Sequence, residues 1–321
     1  MWLTLALLSA LLLGFYDVAK KYALRDNAVV PVLFLNTLFC SFIFLPLAFR
    51  TPFGGWEVQR YILLKACIVL SSWLLGYIGM KQLPLTIVGP INATRPVMVL
   101  VGALLIFGER LTLLQWAGVL TAILSFWLLS RSGRQEGIDF RHNRWIACTV
   151  GAAVMGAVSG LYDKYLMAED GGLGLPRLTV QCWYNFYQAA MMGAVLLWHV
   201  RSKEQGARSK RRSKEQGAGE YNLAQQSPCP SPLAPRPSPL FRWRWSILLI
   251  SVLLSAADYV YFYSLSLDGA LVSVVSMVRR SSVVVSFMLG ALLFREKNLR
   301  SKAIDLALVL LSMLLLWLGR E

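Results

Sequence analysis

Long apolar segments, separated by short polar connections, run through almost the whole chain of 321 residues. A helix that crosses the hydrocarbon core of a bilayer needs roughly 20 mainly apolar residues, and about ten such segments can be counted. Charged residues make up 15% of the chain, against about 25% in ordinary soluble domains. Lipid offers the backbone no hydrogen bonds, which excludes open sheets. The sequence therefore predicts an all-α, polytopic membrane protein.

Ten transmembrane helices are predicted from these segments. They are placed at 2–22, 29–49, 60–80, 84–107, 111–130, 145–167, 178–200, 243–264, 269–294 and 300–319. The first segment lacks a basic region before its apolar run and an obvious small-residue cleavage pattern. We therefore expect it to be the first helix and not a removed signal peptide.

One connection, 201–242, is much longer than the others. The heptapeptide Arg-Ser-Lys-Glu-Gln-Gly-Ala occurs at 201–207 and again at 212–218, and a proline-rich run follows at 227–239. Low hydrophobicity combined with charge and proline disfavours a packed core, so a disordered basic and Pro-rich linker is predicted. It is either a solvated tether, which we favour, or a segment that binds anionic lipid headgroups.

The net charge of +15 comes mainly from Lys and Arg beside the apolar segments. Such residues determine membrane topology, and nucleic-acid binding is not expected. The connections after the odd-numbered helices carry far more Lys and Arg than the opposite side, which predicts that both termini lie outside the cytoplasm. The five cysteines form no CxxC pair, and there are two histidines. We expect no disulfide framework, metal site or cofactor.

Two parts of the chain carry similar motifs in the same order. Lys21, Tyr77, Arg95 and Glu109 are matched by Lys164, Tyr261, Arg279 and Glu296. A first five-helix repeat is thus predicted at 1–130, a connecting loop at 131–144, and a second repeat at 145–200 and 243–321. An odd number of helices gives the two copies opposite orientations in the membrane. Inverted repeats are typical of secondary transporters, whose substrate site lies near the bilayer midplane.

The end of the fourth predicted helix, Gly108-Glu109-Arg110-Leu111, is similar to that of the EamA-like proteins in the drug/metabolite transporter superfamily. Arg295-Glu296-Lys297 is a looser version without the glycine. The resemblance covers nearly the whole chain except 201–242. It implies a ten-helix fold whose central cavity is lined mainly by helices 3, 4, 8 and 9 and by parts of 1 and 6. It also implies export or exchange of small metabolites. Many relatives are drawn with cytoplasmic termini, opposite to the charge bias, which leaves orientation open.

Three arginines lie deep in apolar segments, at Arg95, Arg279 and Arg280. An arginine at the centre of a membrane helix costs about 2.5–3.5 kcal/mol, and such residues usually face the bundle interior. Helical spacing puts Asn92 on the face of Arg95, and Ser276 on the face of Arg279. Each arginine either contacts a substrate or takes part in a structural ion pair.

Other charged and aromatic side chains are weaker candidates. Asp258 is the most deeply placed acid and either pairs with an arginine or carries a coupling proton. Lys21 and Lys164 either reach a cavity or snorkel to the interface. For Lys20 we expect snorkelling. The complete set of candidate substrate-binding residues is Arg95, Asn92, Arg279, Arg280, Ser276, Tyr261, Tyr77, Lys21 and Lys164. The candidates for coupling or ion pairing are Asp258, Asp163 and Asp17.

These features favour a secondary transporter that exports or exchanges a small metabolite, anionic or zwitterionic, by alternating access. A membrane-embedded enzyme or a non-transporting receptor or scaffold is the alternative. The chain carries no Asp-rich cation motif, His-Glu metal pair or Gly-x-Ser-x-Gly elbow, so neither enzymatic activity nor catalytic residues are expected. The expected partners are the substrate and the lipid bilayer, here the plasma (inner) membrane of a bacterium. A homodimer is left open.

Overall fold

The computed structural model describes residues 2–51, 53–107, 112–134, 142–167, 172–221, 242–265, 275, 278–294 and 299–319. Helices account for all the regular secondary structure in these ranges, which confirms the all-α prediction there. The helices are α1 (Trp2–Leu24), α2 (Val29–Ala48), α3 (Gly55–Gln82), α4 (Leu85–Ala93), α5 (Arg95–Phe107), α6 (Leu113–Arg134), α7 (Arg144–Met167), α8 (Arg177–Tyr221), α9 (Trp245–Leu265), α10 (Ser282–Phe294) and α11 (Leu299–Leu318).

Six of the described helices are long and apolar enough to cross a membrane. The six spans are Trp2–Leu24, Val29–Ala48, Gly55–Gln82, Leu113–Ser132, Arg144–Asp163 and Leu299–Leu318. A shorter apolar stretch occupies Trp245–Tyr261 in α9. Each of these stretches coincides with a segment that the sequence predicts to span the bilayer.

The fourth predicted helix is broken into α4 and α5. The break falls at Thr94, whose hydroxyl donates a hydrogen bond to the carbonyl oxygen of Ile91 at 2.7 Å. Pro96 follows two residues later and has no N–H to continue the helical ladder. The missing donor favours an interruption of the ladder at this point, and Arg95 is the first residue of α5, beside the break.

The predicted seventh helix ends at 200, whereas α8 continues to Tyr221. The first half of the predicted linker is therefore helical, and 222–241 lie outside the described residues. Lys, Arg, Glu, Gln and Ala dominate this extension, and all five have high helix propensity. Of the predicted helix at 269–294, the structure describes 275, 278–280 and α10, with a turn at Ser281 between them.

Helices from the two halves of the chain pack directly against one another. α1 packs on α9, and α3 packs on α7. α1 also contacts α10, α5 contacts α7, α2 packs on α8, and α6 packs on α11. The largest buried apolar cluster draws side chains from α1, α2, α3, α4 and α9. Some charged side chains of these helices lie largely inside the bundle, namely Lys20, Lys65, Asp258 and Arg279.

Candidate functional site

An ion pair joins α9 to the short segment before α10. The guanidinium of Arg279 donates a hydrogen bond to the carboxylate of Asp258, and the two side chains are largely buried. Gln181 of α8 donates to the second carboxylate oxygen of Asp258 at 3.4 Å. The guanidinium carbon of Arg279 also lies 4.3 Å from the ring centroid of Tyr261. The structure thus brings together three predicted site residues.

Arg95 lies at the break in the fourth predicted helix. Its guanidinium donates to the side-chain oxygen of Asn92 at 3.1 Å, as the spacing of the two residues predicts. Its Nε is buried and has no hydrogen-bond partner within the part of the chain that the structure describes. A Cβ atom added at Gly156 of α7 would lie 2.9 Å from the guanidinium carbon, so the glycine allows α7 to approach this charge.

Lys20 points into the bundle, which corrects the prediction that it snorkels to the interface. Its ammonium pairs with Asp17 at 3.1 Å. It also lies 4.5 Å from the ring centroid of Tyr16 and 5.1 Å from that of Tyr77, and both rings are buried. A carboxylate one helical turn away and two aromatic faces compensate the ammonium, so it has no need to reach water.

These groups form one charged cluster inside the bundle, which we call the central cluster: Asp17, Lys20, Arg95, Asp258, Arg279 and Arg280. Arg95 interacts electrostatically with Asp17 and Lys20, and Arg280 interacts with both Arg95 and Arg279. The arginine of the first half therefore lies near those of the second half. Arg280 itself has no hydrogen-bond or ion-pair partner among the described residues.

Four other predicted site residues lie elsewhere or are not described. Lys21 donates to the carbonyl oxygens of Met80 at 2.6 Å and Leu83 at 2.5 Å, where α3 ends. Asp163 forms an ion pair with Lys65 of α3. The side chain of Lys164 and the whole of Ser276 lie outside the described residues.

The sequence analysis overlooked Lys65. This lysine is buried in the first half of α3 and pairs with Asp163 of α7. It also lies 5.4 Å from the ring centroid of Tyr184, whose hydroxyl interacts electrostatically with Asp163 and Asp258. A charge inside an apolar run was the available signal, the same signal that identified Arg95.

A second buried lysine was also missed. Lys302 lies near the start of the predicted helix 300–319 and was not singled out. Its side chain is fully buried in α11 and donates to the hydroxyl of Thr86 at 3.0 Å. Asp305, one turn later, is buried as well. Lys302 lies two residues after Arg300, at the start of an apolar segment. Charged residues at such a position usually face water, so the sequence does not indicate that Lys302 points into the bundle.

Comparison with known proteins places the first part of the chain in a recognised group. Residues 1–131 match the EamA-like transporter family. An uncharacterized transporter from Archaeoglobus fulgidus is 28% identical over 138 residues, which cover 41% of this chain and 49% of the relative. The match thus spans about half the length of that curated relative. The family resemblance predicted from the sequence is confirmed over the matched residues.

The fold extends beyond the matched residues. One solved crystal structure, described only as that of a protein, aligns with 99% of this chain and 96% of its own chain, with a TM-score of 0.55. The sequence identity is 15%, so this likeness concerns the fold alone. Both halves of the chain are therefore parts of one known helical architecture.

Proposed function

We propose, from a chain whose residues 1–131 match the EamA-like transporter family, that this protein is a secondary transporter that exports or exchanges a small metabolite. The central cluster carries the proposal. It combines Asp17, Lys20 and Arg95 of the first half with Asp258, Arg279 and Arg280 of the second half. Charged groups buried within a membrane bundle mark substrate and ion pathways.

Alternating access requires two halves that can exchange their conformations. In the two predicted repeats, α1 corresponds to α7, α3 to α9, and α5 to α10. Replacing each helix by its counterpart converts the α1–α9 contact into the α7–α3 contact, and the α1–α10 contact into the α7–α5 contact. The α2–α8 and α6–α11 contacts map onto themselves. This pattern supports two inverted five-helix repeats, with the substrate held between them and released on either side of the membrane.

The chemistry of the central cluster favours an anionic or zwitterionic metabolite. A guanidinium binds a carboxylate or phosphate through two parallel hydrogen bonds, which a lysine ammonium cannot do. A substrate held here would contact both halves and could therefore couple their movements.

Flux into proteoliposomes tests the proposal. The purified protein is reconstituted and exposed to a metabolite pool, and the compounds that accumulate are identified by mass spectrometry. We expect at least one compound to accumulate unmodified, and Arg95→Lys to lower its flux about tenfold or more, the equivalent of one charge-assisted hydrogen bond. Arg60→Lys is the matched control, because the side chain of Arg60 is 72% exposed.

Two outcomes would contradict the proposal. A chemically altered product would indicate a membrane-embedded enzyme. No accumulation of any compound, by protein that remains folded and inserted, would indicate a receptor or scaffold.

A further inference from the structure

Resting on the transport function proposed above, we infer that the substrate is a small organic dianion whose charges are bound by Arg95 and Arg280. Arg279 is the counterpart of Arg95 in the second half, but it forms an ion pair with Asp258 and does not bind the substrate. The inferred ligand class comprises dicarboxylates and phosphate monoesters, which share two negative charges on oxygen atoms.

The charges of the central cluster do not balance. Asp17 is paired with Lys20, and Asp258 is paired with Arg279. The central cluster therefore holds four cations and two anions, and among the described residues no ion pair is formed by Arg95, which lies within electrostatic range of Asp17, or by Arg280. The two guanidinium groups also repel each other. Both side chains are half-buried, and a charge that is removed from water is costly unless it is paired and hydrogen-bonded. Two negative charges of a ligand would neutralise the surplus.

The same pairing argues against the other ligand classes. A zwitterion or a cation would bring an ammonium group into the cluster, and that group needs a carboxylate. Both carboxylates of the central cluster already accept hydrogen bonds from basic side chains, Asp17 from Lys20 and Asp258 from Arg279. Gln181 also donates to Asp258. Each carboxylate already offsets one cation of the cluster, so a cationic ligand would add to the surplus of two positive charges and a zwitterion would leave it unchanged.

Hydrogen-bond partners distinguish Arg279 from the other two arginines. Its guanidinium donates to Asp258 and stacks on Tyr261. Among the described residues, Arg95 has one side-chain hydrogen bond, to Asn92, and its buried Nε has no partner. Arg280 is bonded to neither an acid nor an amide in the described residues. Arg95 and Arg280 therefore retain N–H groups that can donate hydrogen bonds to the oxygen atoms of a carboxylate or a phosphate.

Thermal unfolding of the purified full-length protein tests the inference. Succinate and inorganic phosphate serve as dianionic probes. Propionate, glycine and putrescine represent monoanions, zwitterions and dications, and sodium chloride keeps the ionic strength constant. We expect at least one dianion to raise the Tm, because a ligand that binds only the folded state stabilises it. A response to succinate alone indicates a dicarboxylate, and a response to phosphate alone indicates a phosphate monoester.

Variants identify the arginines that bind the dianion. Arg95→Gln and Arg280→Gln should require at least tenfold more dianion for the same shift, and Arg280→Lys should be intermediate. The double variant Arg279→Gln/Asp258→Asn removes one charge of each sign and should respond like the wild type. Arg60→Gln, at an exposed position, controls for a general effect of charge removal.

Several results would overturn the inference: no shift with either dianion, an equal shift with glycine or putrescine, or loss of the response in the double variant. Flux assays separate this failure from that of the proposed function. Transport of a neutral or cationic metabolite would leave the transport function standing and refute the dianion. Binding of a dianion without flux of any compound would support the dianion site and refute the transport function.

Discussion

Lys65 and Asp163 form an ion pair between α3 of the first half and α7 of the second half. The side chain of Lys65 is only 6% exposed, whereas that of Asp163 is 34% exposed. Removal of the acid would leave a buried ammonium without its counter-charge. We expect Asp163→Asn to lower the free energy of unfolding by about 1–3 kcal/mol, measured by thermal or denaturant unfolding in detergent.

The double variant Lys65→Met/Asp163→Asn should recover most of this loss, because an apolar side chain of similar length removes the unpaired charge. The exposed pair of Arg60 and Glu57 provides the control, and Glu57→Gln should change stability little. An equal loss in the single and double variants would show that packing, and not charge, accounts for the effect.

At this scale the sequence could identify charged residues but not their partners. Arg95, Arg279 and Asp258 were predicted because a charge inside an apolar run must face the bundle interior. The pairing of Asp258 with Arg279 was one of two options left open. Lys20 was predicted to snorkel because its sequence position does not reveal that Tyr16 and Tyr77 enclose it. Helical periodicity gives the direction of a side chain, whereas its neighbours come from other elements.

The packing of α1 against α10 depends on Gly14. A Cβ atom added there would lie 2.5 Å from the Cβ of Val285 and 3.2 Å from the carbonyl oxygen of Ser282. Neither a β-branched carbon nor a backbone oxygen can move easily, so the helices would have to separate. We expect Gly14→Ala to lower the free energy of unfolding by about 1–3 kcal/mol, despite the better helix propensity of alanine.

Gly76→Ala is the matched control in another helix. Its added Cβ would lie 3.6 Å from the Cβ of Ala152, an ordinary contact. We expect this variant to be neutral or to raise stability by up to about 1 kcal/mol. Unfolding of both variants is measured under the same detergent conditions. An equal change in the free energy of unfolding for the two variants would contradict the close approach of α1 and α10.

Apolar length predicted the existence of helices well but not their interruptions. The segments that became α1, α2, α3, α6, α7 and α11 are continuous apolar runs, and each appears as one helix. The break between α4 and α5 depends on the exact position of Pro96, which hydropathy does not register. The extension of α8 to Tyr221 follows helix propensity in a polar stretch, where apolar length says nothing.

For the molecule as a whole, we predict that most of the long connection is dispensable. Residues 209–239 carry no member of the central cluster and contain the proline-rich run. Any chain that spans the gap between α8 and α9 should join them. Deletion of Ser209–Pro239 should leave membrane insertion and proteoliposome flux unchanged within about twofold. Normal insertion with loss of flux would refute the role of a passive tether.

A second prediction at this scale concerns orientation. The Lys and Arg bias places the loop 131–144 in the cytoplasm, together with the connection after α8. A cysteine introduced at Gly137, in a variant without the native cysteines, should resist a membrane-impermeant thiol reagent in intact cells and react after permeabilisation. Labelling of intact cells would reverse the orientation and favour cytoplasmic termini.

The two unmatched guanidinium groups of the central cluster have an electrical consequence. Under the proposed alternating access, an empty carrier that changed the side to which Arg95 and Arg280 are open would move positive charge through part of the membrane field. Each elementary charge that crosses the whole field gains or loses about 2.3 kcal/mol per 100 mV. The inferred dianion would neutralise the two charges and make the same movement electrically silent. The membrane voltage would then act on the return of the empty protein and not on the loaded step.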